Sequence, residues 1–146
     1  MTVTPGEVFF CCPKWYNCLM DKETTGQTGE RVAVNFLKEC GYEIIATNFK
    51  NNFGRRLGEI DIIAREKTVQ QIVFVEVKTR DFQKYQATLP EENITFAKLK
   101  KMDKIAQFYL RINRWQGISF RFDAISVWLN QENKKARIRH LKNIYL

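Results

Sequence analysis

The stretch Glu59-Ile60-Asp61-Ile62-Ile63-Ala64-Arg65-Glu66-Lys67-Thr68-Val69-Gln70-Gln71-Ile72-Val73-Phe74-Val75-Glu76-Val77-Lys78 decides the fold. Two β-branched, apolar runs flank a polar segment, residues 65–71, which must turn the chain. Strand side chains alternate, so Glu59 and Asp61 share a face, as do Glu76 and Lys78, while Val73, Val75 and Val77 take the other. A turn symmetric about Thr68 and Val69 sets Asp61 opposite Glu76 and Glu59 opposite Lys78. Directly opposed side chains have Cβ atoms about 5 Å apart. The ordinary reading is a solvated strand face with a cross-strand Glu–Lys pair. The flanks are almost wholly apolar, which argues for burial instead. Two buried carboxylates repel, and a divalent cation relieves that repulsion. Mg²⁺ takes one or two carboxylates together with waters and phosphate oxygens. Lys78 would point at the same pocket, able to hold a water or neutralise a phosphate.

Working outward, a helix is predicted over residues 29–40, with Thr28 as N-cap and Gly41 as the stop. Val32, Ala33, Phe36, Leu37 and Cys40 form its apolar stripe. Strands are predicted at 42–49, 59–65 and 71–79. A loop follows over 80–93, which contains Pro90. A second helix is predicted over 94–112, then strands at 119–129 and 137–144. The order α-β-β-β-α-β-β makes an α/β fold, a mixed β-sheet flanked by helices. Residues 1–23 lack a sustained period and read as an irregular N-terminal tail, leaving 24–146 as the domain. Met20 is a candidate natural start.

At 146 residues the chain suits one domain, and its 45% apolar and 13% aromatic content excludes a disordered tail. The formal charge of +8 favours a polyanionic partner, nucleic acid first. No apolar run approaches the ~18 residues of a membrane span. No basic segment precedes Val8-Phe9-Phe10, so a secretory signal is not expected. Cysteines at 11, 12, 18 and 40 match no zinc pattern, and His140 is the only histidine. Reduced thiols in a cytoplasmic protein are the plain expectation.

Other residues carry weaker signals. Glu30 falls in the first turn of the first helix, where complementarity to the helix dipole suffices to explain it. Lys98 lies inside the apolar stripe of Ile94, Met102, Ile105, Ala106 and Tyr109. A lysine there needs an anion or must snorkel outward. Asp123, in an apolar strand, reads as an internal ion-pair partner. Arg55 and Arg56, between Gly54 and Gly58, form a basic loop suited to phosphates, or simply a flexible polar turn. Lys134, Lys135, Arg137, Arg139 and Lys142 add a basic, solvated C-terminal stretch.

The residues Gly29-Glu30, Gly41-Tyr42, Asn48, Gly58-Glu59-Ile60-Asp61, Phe74-Val75-Glu76-Val77-Lys78-Thr79-Arg80, Lys98 and Arg121-Phe122-Asp123 together resemble the YraN-like family of small bacterial proteins. The resemblance spans about residue 26 to the C-terminus. That family is similar to the restriction-endonuclease-like, PD-(D/E)XK, superfamily and within it to archaeal Holliday-junction resolvases. By resemblance, Asp61 and Glu76 bind a metal, Mg²⁺ or Mn²⁺, with the Val77 carbonyl as a further ligand. Glu30 binds it directly or through water, and Lys78 serves the attacking water. Where the superfamily often has Pro before the Asp, this chain has Ile60. Arg80 and Lys98 join Arg55 and Arg56 as nucleic-acid contacts. The resemblance implies a homodimer, since resolvases are dimers, and DNA as substrate, with branched or junction DNA included.

The expectation is therefore a metal-dependent endonuclease that hydrolyses phosphodiester bonds in DNA. The alternative is a non-catalytic nucleic-acid-binding protein that retains a nuclease fold. A nucleotide-binding enzyme with Asp61 on a ribose is excluded, because no glycine-rich phosphate loop precedes that residue.

Overall fold

The computed structural model describes residues 23–81, 94–132 and 134–144, together with the backbone of residues 10–11. Its elements are β1 (Phe10–Cys11), α1 (Thr25–Glu39), β2 (Tyr42–Lys50), β3 (Glu59–Glu66), β4 (Gln71–Asp81), α2 (Phe96–Ile112), β5 (Phe120–Asn130) and β6 (Lys135–Leu141). From α1 onward this is the predicted order α-β-β-β-α-β-β. One sheet holds the strands in the order β1-β6-β5-β4-β3-β2. Only β4 and β5 run parallel. A parallel pair needs a long crossover, and α2 provides it. The short β1 pairs with the outer edge of β6, inside the stretch expected to be irregular. The rest of that stretch, 1–9 and 12–22, lies outside the described residues, as do 82–93 of the expected loop.

The sheet is covered on both faces. Val32, Ala33, Phe36 and Leu37 of α1 pack on Ile62, Ala64, Val73, Val75, Val77, Ile125 and Val127. Leu99, Met102, Ile105, Ala106 and Tyr109 of α2 pack on Ile60, Ile63, Ile72, Phe74 and Phe122. Central strands buried on both sides read as continuous apolar runs, which explains Ile72-Val73-Phe74-Val75. Among the described residues no helix is long and apolar enough to cross a membrane.

Several boundaries differ from the sequence expectation. Helix α1 begins four residues earlier than predicted. Thr24, not Thr28, is the N-cap: its hydroxyl accepts from Gln27 N–H and the Gln27 side chain accepts from Thr24 N–H, a reciprocal capping box. Thr28 lies buried within the helix, its hydroxyl donating to Glu23. Helix α2 starts at Phe96 rather than residue 94, because the Thr95 hydroxyl caps Lys98 N–H. Arg80 and Asp81 prolong β4 into the expected loop. β6 ends at Leu141, three residues short of expectation. Asn143 adopts φ +61°, which breaks the strand, and its N–H turns to the Asp123 carboxylate.

Candidate functional site

The β3–β4 ladder keeps the register expected of a turn centred on residues 68 and 69, running from Glu66↔Gln71 to Ile62↔Val75. It ends there. The Asp61 carboxylate accepts the Val77 N–H at 2.7 Å, taking the donor that a continuing ladder would give to β3. An extended residue points its N–H and C=O the same way, so the Val77 carbonyl also faces the Asp61 side.

A second irregularity lies across β3 on the other flank. Asn48 of β2, whose neighbours pair as Thr47↔Ile62 and Phe49↔Ile60, adopts φ +52°. Asn tolerates this left-handed conformation better than most residues. Alternation breaks at the same level. Ile60 packs on the α2 side and Ile62 on the α1 side, with Asp61 between them. A cleft of about 330 Å³ opens here, lined by Asp61, Glu30 and Arg31 of α1, Thr47 and Asn48 of β2, and Glu23. Glu30 reaches it because α1 sits very close to the sheet at Gly29, where a Cβ would fall 1.8 Å from Thr79 Oγ1.

Asp61 and Glu76 are buried, at 9% and 2% exposure. One oxygen of Glu76, Oε1, forms salt bridges with Lys78 Nζ at 2.9 Å and Lys98 Nζ at 3.2 Å. Its other oxygen, Oε2, is buried without a hydrogen-bond partner. Burial pushes the Asp61 carboxyl up from 3.8 to about 7, and the nearby charges of Glu76 and Glu30 add to the rise. The Val77 hydrogen bond and the Lys98 charge oppose it. Glu76, Glu30 and Lys98, from one strand and two helices, thus all act electrostatically on Asp61.

Of the predicted residues, Asp61, Glu76, Lys78 and Lys98 converge. Lys98 finds the anion its inward position required, and that anion is Glu76. Glu30 lies on the cleft wall. Glu59, expected opposite Lys78, instead pairs with Lys50 at 3.0 Å and Arg56 at 3.4 Å, because β3 and β4 have parted before its level. Arg55 and Arg56 are exposed on the loop before β3. Arg80 is half-buried on β4 and donates to the Thr79 carbonyl at 3.4 Å.

Would this set suit a metal ion? Among the described residues no three His, Cys, Asp or Glu side chains group into a cage. Two carboxylates and a carbonyl are nonetheless a donor set that a hard cation accepts, with water completing it. Glu76 Oε2 is buried without a hydrogen-bond partner, and burial beside Glu76 raises the Asp61 pKa, both of which a divalent cation would relieve. The residues fit.

A second buried polar group lies on the far side of β4. Asp123 is fully buried and takes hydrogen bonds from His140 Nε2 at 2.8 Å, Arg121 Nε at 2.9 Å and Asn143 N–H. Arg121 also reaches Glu66 and the Tyr42 hydroxyl. Asp123 was expected to be an ion-pair partner, and it is one. Its partnership with His140, seventeen residues away, left no signal beyond the two residue types.

Comparison with known proteins places the chain. The sequence profile described as "Uncharacterised protein family UPF0102" matches residues 29–127. A UPF0102 protein of Caldicellulosiruptor saccharolyticus is 39% identical over 126 residues, covering 86% of this chain and 100% of the relative. One of Caldanaerobacter subterraneus is 40% identical, covering 86% and 98% respectively. One of Clostridium botulinum is 43% identical, covering 82% and 92%. A profile match across most of the chain and relatives aligned nearly end to end lead to one conclusion: this protein belongs to the UPF0102 family, the YraN-like family whose residues the sequence displays.

Proposed function

We propose that this protein is a metal-dependent nuclease that hydrolyses phosphodiester bonds in DNA. The observation that carries the reading is the pair of buried carboxylates, Asp61 held by Val77 N–H and Glu76 with an unpartnered oxygen, beside two ammonium groups. Asp61, Glu76 and the Val77 carbonyl would hold Mg²⁺ or Mn²⁺, with Glu30 a further donor from the cleft wall. When bound, such a cation supplies Lewis acidity toward the phosphodiester and makes water more acidic. The chain's own groups do the rest. The Val77 N–H fixes the Asp61 oxygens. Lys78 and Lys98, tethered to Glu76, offset charge that develops on phosphate oxygens, and Lys78 can orient a water by hydrogen bonding. The net charge of +8 draws a polyanion toward the site.

One observation favours the alternative, a nucleic-acid-binding protein without catalysis. Glu76 is already neutralised by two lysines, so the site closes on itself without a cation. Incubation of four-way, flapped and linear DNA with Mg²⁺ or Mn²⁺ separates the readings. Cleavage that Asp61→Asn or Lys78→Ala abolishes while binding persists supports the nuclease. Binding of every substrate without cleavage supports the alternative.

A further inference from the structure

Residues 51–58, which lead directly into the Asp61 strand, form a loop whose build exceeds what a chain reversal requires. Asn51 pins it from within: Nδ2 donates to the Phe53 carbonyl at 2.9 Å and the Arg55 carbonyl at 3.0 Å, while Oδ1 accepts the Leu57 N–H at 2.9 Å. Leu57 tucks against the α2-side core. At Gly58 a Cβ would make ordinary van der Waals contact with α2, 3.7 Å from Lys101 Cβ. The C-terminal end of the loop is therefore packed on the body, and the Asn51 amide organises the rest.

What this frame presents is Phe53, 84% exposed, more than any other large apolar side chain among the described residues. A scattered exposed apolar residue is ordinary. Phe53 differs in its setting. Arg55 and Arg56 follow it on the same loop, and Lys50 and Lys101 stand at its two ends. Glu59, the first residue of β3, is bound by Lys50 and Arg56. The loop runs straight into β3, so its last residue, Gly58, precedes Asp61 by three positions. An open aromatic face between cations is the arrangement that single-stranded nucleic acid uses: bases stack on the ring and phosphates meet the charges.

We propose that Phe53 is a stacking platform for an unpaired nucleobase, with Arg55 and Arg56 on the adjoining phosphates, so that the site selects nucleic acid with an unstacked base. The inference rests on the nucleic-acid reading of the site and adds the substrate class. Inside a paired duplex each base face is covered by its neighbours, and apart from its two terminal pairs it offers Phe53 nothing to stack on. Single strands and flaps carry unpaired, uncovered bases.

The test is equilibrium binding of the full chain to fluorescein-labelled oligonucleotides without divalent cation, followed by anisotropy. The substrates are a single strand, a flapped duplex and a fully paired duplex. Phe53→Ala should weaken the single strand and the flapped duplex about 5- to 150-fold and leave the paired duplex unchanged. Phe53→Trp should retain wild-type affinity, and its added tryptophan emission should be quenched by the single strand and not by the duplex. Arg55→Ala should weaken all three substrates alike. Equal affinity of wild type and Phe53→Ala for the single strand would overturn the inference, and so would equal losses on duplex and single strand. Failure of the nuclease reading shows separately, as absent cleavage with the Phe53-dependent preference intact.

Discussion

Gly29 of α1 faces Thr79 of β4 so closely that a Cβ would lie 2.7 Å from Thr79 Cβ and 1.8 Å from its Oγ1. Thr79 is β-branched and sits in a packed strand, so it cannot swing away as a long side chain could. The contact brings Glu30 to the cleft and braces β4 one residue past Lys78. Gly29→Ala should therefore destabilise the protein by about 1–3 kcal/mol, despite alanine's better helix propensity. Gly26→Ala, where the nearest atom is 4.0 Å away, should be neutral or stabilising by up to about 1 kcal/mol. Urea denaturation of both variants checks the contrast; similar effects would contradict it.

Asp61 carries the opposite sign from a stabilising carboxylate. Its folded pKa is raised from 3.8 to about 7, first by burial and then by Glu76. Between those values the folded state binds more protons than the unfolded one, so stability falls as pH rises through that window. Above about pH 7 the full destabilisation remains. Asp61→Asn, measured without divalent cation, should be more stable than wild type at pH 8, by on the order of 1–4 kcal/mol, and the difference should vanish near pH 4. Adding Mg²⁺ or Mn²⁺ should raise the wild-type Tm and leave the variant unmoved. A wild-type Tm indifferent to both cations would count against the metal reading.

Asp123 behaves conventionally. Burial raises its pKa, but hydrogen bonds from His140 and Arg121 outweigh burial and hold the carboxyl below 3.8. Its contribution is complete above the unfolded value and is lost as pH falls through the folded one, below about pH 4. Asp123→Asn should cost about 3–5 kcal/mol at neutral pH, since it removes the charge that half-buried Arg121 and buried His140 both bond to. It should also flatten the acid limb of the stability profile. An unchanged acid limb in circular dichroism would refute this assignment.

Arg55 and Arg56 should act through phosphates. Replacing both by Ala should lower the slope of log affinity against log salt by about 1 to 2, with equal effect on different sequences. Titrations of one single strand at several salt concentrations measure it.

The sequence carried the hairpin register because its turn is symmetric: the pairs from Glu66↔Gln71 to Ile62↔Val75 all follow from residues 68 and 69 as centre. It did not carry the point where the ladder ends. That depends on a side chain, Asp61, replacing a backbone acceptor, which no periodicity reveals. The break in alternation at Ile60–Ile62 was hidden likewise; it lies level with the left-handed Asn48 on the neighbouring strand, and no residue pattern announces either. The capping box at Thr24 and Gln27 went unread, because Thr28 is an equally good capping residue one place before the predicted start, and only the backbone distinguishes the two. Lys98 could be read as needing an anion, but only the crossover identified Glu76 as that anion.

That crossover has a consequence for how the molecule assembles. Asp61 and Glu76 belong to one hairpin, a unit that closes over microseconds from neighbouring residues. Lys98 joins Glu76 only once α2 has carried the chain back to lay β5 alongside β4, a non-local step that pays its loop-closure entropy late. The hairpin can thus form with Lys78 as the lone counter-charge to its two acids, before Lys98 arrives. A nascent chain paused within α2 would present an under-neutralised acidic pair, and emergence of β5 would complete the centre.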